Sequence, residues 1–461
     1  MERLDKIALK LISMSSKQGA FRLLWQSFML QGQHRLKLNH SVRFEEYAEG
    51  FDDQAFKVLV SIAGRPIGDW SRRQAGLGFK AGGLALRPLG RAVLPARVAT
   101  WSRVVGAMDG DRSGCYEKNV TGWLKQALNT ETGEAIKRDL DDVHRLYTDM
   151  EAVKPVPEGQ DKTEYNQLYP RELDDLTGPY TNVHKRITQM SDTLEAEQLK
   201  RSMTLNNNNM TLERHRMALV AAQAPLASSY LTALPSGQLF TINAYEFGIL
   251  VSVRIGLEIE HFQVKHGQAT CFCDSPLSID HAMGCARIPG SFVYQRHNEI
   301  NRLIQQTLTG GEVSHVRVEP RGQYVGYGDG GPDMSYRQRN GTLVLTDVSV
   351  VAARGNTKRQ RLMTKTGVLA KAREVKKRKE NDAHAKANKA KFIPLVVEAR
   401  GGFGEDAIKF FKSAARANRT FERSIQPWEY NSHFQYYTKA VSVALARGSA
   451  QNLALALKYS K

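Results

Sequence analysis

The sequence predicts an α+β protein. A mostly helical N-terminal half is followed by a small cysteine–histidine knuckle, an αβββαβ run and C-terminal helices. Three observations carry this reading. Apolar residues recur at helical spacing in much of the chain up to about residue 257. Three of the four cysteines, at 271, 273 and 285, fall within fifteen residues. Beyond residue 293, short β-branched runs alternate with helical stretches, and one pair of runs is joined by Asn340-Gly341, a strong hairpin signal.

In chain order, FRLLWQSFML and FKVLVSIAG have helical apolar spacing, and the first segment, 1–105, closes on a glycine-rich basic stretch. Segment 106–211 reads as a polar helical spacer, with VTGWLKQAL as a helix, KPVPEGQDKTEYNQ as a loop and Asn206 to Asn209 as a linker. Helical periodicity returns in 212–265, through LERHRMALVAAQAPLASSYLTAL and INAYEFGILVSVRIGL. The knuckle occupies 266–290. Segment 291–425 opens with a helix over FVYQRHNEINRLIQQTLTG. It continues with strands at HVRVEP, at both arms of the Asn340-Gly341 hairpin and at FIPLVVEA, with one long basic helix from Lys358 to Lys391 before the last. Helices complete it (404–417) and fill 426–461.

The chain has 461 residues, 41% of them apolar, which is enough to build cores and argues against wholesale disorder. Its length suggests about two to four domains. Its net charge of +18, from 65 Lys+Arg against 47 Asp+Glu, makes a polyanion the first partner to consider. No apolar run approaches the ~20 residues that span a bilayer, so no membrane partner is expected. The first residues lack the apolar core of a secretory signal, and Glu2 and Asp5 argue against a transit peptide. Four cysteines exclude a disulfide scaffold and point to a reducing compartment.

Cys271, Cys273, His281 and Cys285 read C-x-C-x7-H-x3-C. Thiolate and imidazole are the donors zinc prefers, and four at short spacing close a tetrahedral site. With no open position, such a zinc is structural, and its binding helps to fold a loop that lacks its own core. The bland alternative is a group of buried cysteines with an incidental histidine.

Pro332-Asp333 opens the first hairpin strand and Asp347 lies near the end of the second, so the two carboxylates can lie side by side across the turn. Like charges there repel unless a cation sits between them, and Mg²⁺ takes such ligands. Phosphodiester hydrolysis needs metal-activated water, commonly oriented by a lysine from the next element. Lys371, Lys376, Lys377 and Lys379 are candidates, and Glu319 and Glu398 could complete the acidic rim. An Asp at a strand end is otherwise a turn or cap residue. From Arg354 to Lys391, fourteen Lys/Arg stand against three acids, a net of +11. That stretch suits phosphate contacts, including Lys358, Arg359, Lys371 and Lys379. The alternatives are a solvated helix face or a nuclear-import patch at residues 376–379.

The joint order of these motifs resembles the C-terminal part of non-long-terminal-repeat retrotransposon polyproteins, of the class that carries a restriction-like endonuclease. The stretch RQAGLGFKAGGLALRPLGRAVLPARVATW is similar to the segment that follows their polymerase thumb. AAQAPLASSYLTALPSGQLFTINAYEFGILVSVRIGL is similar to the helical segment before their zinc knuckle. CFCDSPLSIDHAMGC with YQRHNEI resembles the knuckle and its sequel, and PD…TDVSVV, the lysine-rich helix and FIPLVVEARGGFGEDA resemble the nuclease core. The resemblance covers about 40–105 and 212–455. It implies a thumb-like remnant over 1–105, a CCHC zinc knuckle, and a restriction-endonuclease-like core with a mixed sheet flanked by helices. It further implies a Mg²⁺-dependent endodeoxyribonuclease that nicks target DNA to prime reverse transcription, with DNA and element RNA as partners and the nucleus as its place. Asp333 and Asp347 take the positions of the metal-binding carboxylates, Lys376 or Lys377 that of the catalytic lysine, and Glu398 that of an accessory acid. Arg296 and His297 match an Arg-His pair that contacts DNA or packs. Two departures are Glu380, where many relatives have a tyrosine after the lysine run, and Ser349, where restriction enzymes often place the lysine. No aromatic-x-Asp-Asp polymerase motif occurs, so the expected activity is that of a downstream fragment without reverse transcription. A nucleic-acid-binding remnant without cleavage is the competing reading.

Overall fold

The computed structural model describes residues 2–36, 44–109, 131–153, 170, 176, 182–203, 210–257, 270–309, 313–327, 331–417 and 432–459. VTGWLKQAL, KPVPEGQDKTEYNQ, Asn206 to Asn209 and Cys115 lie outside them. The chain divides into two compact units, one of residues 1–13, 23–59 and 72–208, the other of 14–22, 60–71 and 209–461. No helix among the described residues is long and apolar enough to cross a membrane.

The described elements of the first unit are helical. This unit contains α1 (Glu2–Ser13), a π-turn at Leu24–Phe28, α3 (Met29–Leu36), most of α4 (Phe44–Ala63) and the end of α5 (Asp69–Ala75), whereas α2 (Lys17–Leu23) up to Arg22, the last turn of α4 and the start of α5 fall in the second unit. Helices α6 (Leu89–Asp109), α7 (Glu131–Val153) and α8 (Val183–Ser202) pack through Val98, Ile136, Leu140, Val143, Tyr147 and Ile187, all buried. Apolar residues at i, i+4 and i+7 of α7 make one stripe facing this core. Asp192 on α8 binds Arg87 and the Gly78 N–H, which ties the glycine-rich stretch to that helix.

The second unit holds α9 (Met210–Ala222), α10 (Ala244–Arg254), α11 (Ile279–Gly284) and α12 (Val293–Thr309), then a four-stranded mixed sheet. The predicted helix at 212–234 stops at Ala222 because Pro225 cannot continue it, and turns follow. Strand β1 (Ser314–Val318) pairs antiparallel with β2 (Met334–Arg337), and β2 antiparallel with β3 (Leu343–Val351). The β2–β3 turn is the one read from Asn340-Gly341; Gly341 has φ +80°, which glycine adopts without strain. Strand β4 (Ala390–Glu398) runs parallel to β3, matching Leu343 with Ala390 through Val351 with Glu398. A parallel pair needs a helical crossover, and α13 (Asn356–Thr364) and α14 (Val368–Ala387) supply it. The single long helix predicted from Lys358 to Lys391 is therefore two helices, broken before Gly367 (φ +68°), and Lys391 belongs to β4. Pro394 is tolerated in β4 because β4 is an edge strand. The chain ends with α15 (Glu405–Ala417) and α16 (His433–Tyr459).

Helix α16 is lined by alanine, serine and glycine and is buried over most of its length, with α10, α11, α12 and α15 against it. Its small residues permit close approach: a Cβ on Gly448 would lie 2.7 Å from Arg296 Cβ. Alternation along the strands puts Asp333, Asp347 and Ser349 on the sheet face covered by α14, and Tyr336, Lys391 and Ile393 on the other.

Candidate functional site

The sheet, α14 and α12 bring one acidic group together. Asp333 precedes β2, one step beyond the Met334–Thr346 pair, so it lies across from Asp347. The Val348 N–H donates to Asp333 Oδ2 at 2.6 Å, and His297 Nε2 on α12 lies 3.3 Å from the same oxygen. Lys377 Nζ on α14 donates to Asp347 Oδ2 at 2.6 Å, and both side chains are largely buried. Burial, reinforced by the charge of Asp333, holds the Asp347 carboxyl above the usual carboxylate range, against the pull of Lys377 and Arg373. The bond to Asp333 raises the His297 pKa in spite of burial. One turn before Lys377, Arg373 Nε reaches Ser349 Oγ at 3.4 Å. The arrangement offers two facing carboxylates to a cation, with an ammonium and a guanidinium beside them.

The other sequence candidates are placed differently. Lys376 is exposed and pairs with Glu380 at 3.6 Å, one residue round the helix from the acidic group. Glu398 is buried four positions along β4 from the residue matched to Asp347, which is roughly 13 Å at strand rise. There it accepts the Ala370 N–H at 3.0 Å and caps the start of α14. A carboxylate stabilises a helix N-terminus through its unpaired N–H groups. Glu319 is exposed and paired with Arg321 at 2.9 Å. Arg296 does not face solvent: it is 3% exposed and donates to Met283 O and Ser449 Oγ. Burial lowers its pKa to about 10. Its neighbour His297, about 100° further round the helix, is the member of the pair that reaches the acidic group.

Lys358, Lys371 and Lys379 are exposed and Arg359 is half-buried. Burial and the nearby charges of Arg354, Arg373 and Lys376 lower the Lys358 pKa, which marks a cluster of like charges across α13 and α14.

The knuckle residues meet in one cluster. The donor atoms of Cys271, Cys273, His281 and Cys285 all lie within 4.8 Å of one another. Cys271 Sγ and Cys285 Sγ are 3.8 Å apart, and Cys273 Sγ lies 3.2 Å from His281 Nε2. Tetrahedral thiolates at a zinc–sulfur distance of ~2.3 Å would be about 3.8 Å apart. The four residues could therefore hold a metal ion, and the donor set is compatible with zinc. A tight turn, closed by the Asp274 N–H to Cys271 O bond, brings the first two thiols together. Ser278 caps α11 by accepting the His281 N–H at 3.1 Å, which fixes the imidazole's helix. Asn452 of α16 donates to Ala282 O and Cys285 O.

No motif in the sequence announces a buried pair behind the knuckle. Asp280, beside His281 of the cluster, receives Arg400 Nε at 2.7 Å and a second guanidinium nitrogen at 2.9 Å. The pair ties α11 to the loop after β4. Its only sequence signal is two charged residues within apolar stretches. No protein-family model and no curated protein matches this chain.

Proposed function

We propose that the second unit is the endonuclease portion of a non-long-terminal-repeat retrotransposon protein, nicking target DNA in a divalent-cation-dependent reaction that primes reverse transcription. The observation that carries this reading is Lys377 Nζ at 2.6 Å from Asp347 Oδ2, with Asp333 opposite. Two carboxylates and an ammonium on one sheet face form the constellation that metal-assisted phosphodiester hydrolysis needs. Asp333 and Asp347 would hold Mg²⁺, which supplies water activation and charge neutralisation when bound. The His297 and Val348 contacts aim Asp333. Lys377 replaces the lysine absent at Ser349, and holds the attacking water or the phosphate oxygen. The cations of α13 and α14 suit the DNA backbone, and the knuckle, taken as a zinc site, lies against the exit of β3: a Cβ added at Gly284 would meet Ala352 Cβ at 3.0 Å and Arg354 Nε at 3.6 Å. Element RNA as a second partner and the nucleus as the working compartment belong to the same proposal.

The test is incubation of the zinc-loaded chain with supercoiled plasmid, with and without Mg²⁺. Conversion to open circles only with Mg²⁺, lost in Asp347→Asn, supports the proposal. A binding remnant without cleavage is the second reading, favoured by the fact that Lys377 already neutralises Asp347. It gains if the folded, zinc-loaded protein binds DNA and never nicks it.

A further inference from the structure

A cavity of about 430 Å³ lies on the sheet face opposite the acidic group, between the hairpin tip, β4 and α15. Its volume falls within the ~300–1,000 Å³ of small-molecule sites. Its walls differ in chemistry. Tyr336 and Phe410, buried with their rings edge to face at 6.3 Å, form an apolar aromatic wall. Arg339 and Lys391 contribute positive charge to the lining. Between them Arg378 holds Asp406 through Oδ2, at 2.8 Å from Nη2 and 3.3 Å from Nε.

We propose that this cavity is a mononucleotide pocket, taking one amine-bearing nucleobase together with its phosphate. The ring would lie against Tyr336 and Phe410, since every base offers a π face to an aromatic side chain. The phosphate would meet Arg339 and Lys391, which give charge-assisted hydrogen bonds. Asp406, oriented by Arg378, would accept the amine of adenine, cytosine or guanine. Thymine flanks its one N–H with two carbonyls, which the carboxylate repels. A fatty or aromatic acid satisfies the cations but gives no donor to Asp406 Oδ1, the oxygen that Arg378 does not hold, at a cost. The same chemistry is presented by a free nucleotide and by an unstacked residue of a single strand. The proposal does not rest on cleavage at Asp347.

The experiment is calorimetric titration of the full zinc-loaded chain with dGMP, dCMP, dAMP and TMP, with a single-stranded tetranucleotide, and with blunt duplex. The expected result is binding of the three amine-bearing nucleotides, with TMP about 10-fold weaker. A tighter tetranucleotide than dGMP identifies a strand residue as the occupant; equal affinity identifies the free nucleotide. Lys391→Glu combined with Arg339→Glu should weaken dGMP about 10-fold or more. Ala414→Phe, which fills the cavity from its half-exposed rim, should abolish it, with melting temperature reporting that the fold is kept. No binding of any nucleotide at millimolar concentration overturns the proposal. So does binding that both variants leave unchanged, or binding of TMP equal to dCMP.

Discussion

Asp280 and Arg400 form a two-bond ion pair in which both side chains are 7% exposed or less. The charge of Asp280 acts with Glu398 to raise the Arg400 pKa against the effect of burial. Removing one partner leaves the other charge uncompensated in a medium that solvates it poorly. Asp280→Asn should therefore cost about 3 kcal/mol or more of unfolding free energy. The double variant Asp280→Leu with Arg400→Met should lie closer to the parent. Urea denaturation of all three chains checks this; a loss in the double variant as large as in the single one would contradict it.

Zinc content gives a second test. The parent should bind one zinc at the knuckle, and Cys273→Ser with Cys285→Ser should lose it. Because the metal would organise a turn with few apolar contacts of its own, chelation should also lower the melting temperature. Elemental analysis before and after dialysis against a chelator reads the first effect, and calorimetry the second.

The two lysines that sequence left open are separable. Under the proposed nuclease function, Lys377→Ala should lower the rate of Mg²⁺-dependent nicking by about 100-fold or more. Lys376→Ala, with its ammonium in solvent beside Glu380, should stay within about 3-fold of parent. Asp333→Asn and Asp347→Asn should each abolish nicking while leaving DNA binding intact. Single-turnover rates with gel-shift affinities on the same preparations decide among these outcomes.

DNA affinity should depend on salt through the exposed cations. Neutralising Lys358, Lys371 and Lys379 to Gln should weaken binding across sequences. Every phosphate left without its lysine should flatten the logarithmic salt slope by up to about 0.9. An unchanged slope would remove these helices from the backbone interface.

Stability should fall in mild acid through His433. Burial lowers its pKa to about 4 from an ordinary value near 6.5. A depressed pKa means that the unfolded chain binds the proton more readily. The stabilisation is complete above pH 6.5 and is lost as pH falls through 4, amounting to at most about 3 kcal/mol. His433→Phe should flatten the pH dependence of denaturation between 7 and 4; an unaltered profile would count against this role.

What the sequence disclosed follows from how far apart the interacting residues lie. The hairpin, β3, β4 and the clustering of Cys271, Cys273, His281 and Cys285 are short-range patterns, and periodicity and spacing revealed them. Asp333 and Asp347 are joined by one hairpin, so their apposition was legible too. His297 reaches Asp333 from a separate helix, and nothing in its neighbourhood indicates this. Arg296 and His297 looked like one unit, yet the helical twist sends one into the interior and the other to the acidic group. Likewise, only the rotation of α14 separates Lys377 from Lys376. Glu398 carried the expected charge at the expected strand end, but the helix start beside it claims the carboxylate first.

The bond from Ala370 N–H to Glu398 also fixes where α14 begins and therefore its rotational phase. Seven residues on, Lys377 faces Asp347, while Arg378 points past the sheet to Asp406. Adding or deleting one residue between 370 and 377 would swing every later side chain by about 100°. Lys377 would leave the acidic group and Arg378 would release Asp406 in a single step. The length of this interval, more than the identity of its exposed residues, is therefore what the protein must preserve. A family of active variants should tolerate many replacements at Ala372, Val375 and Lys376 and no change in their number.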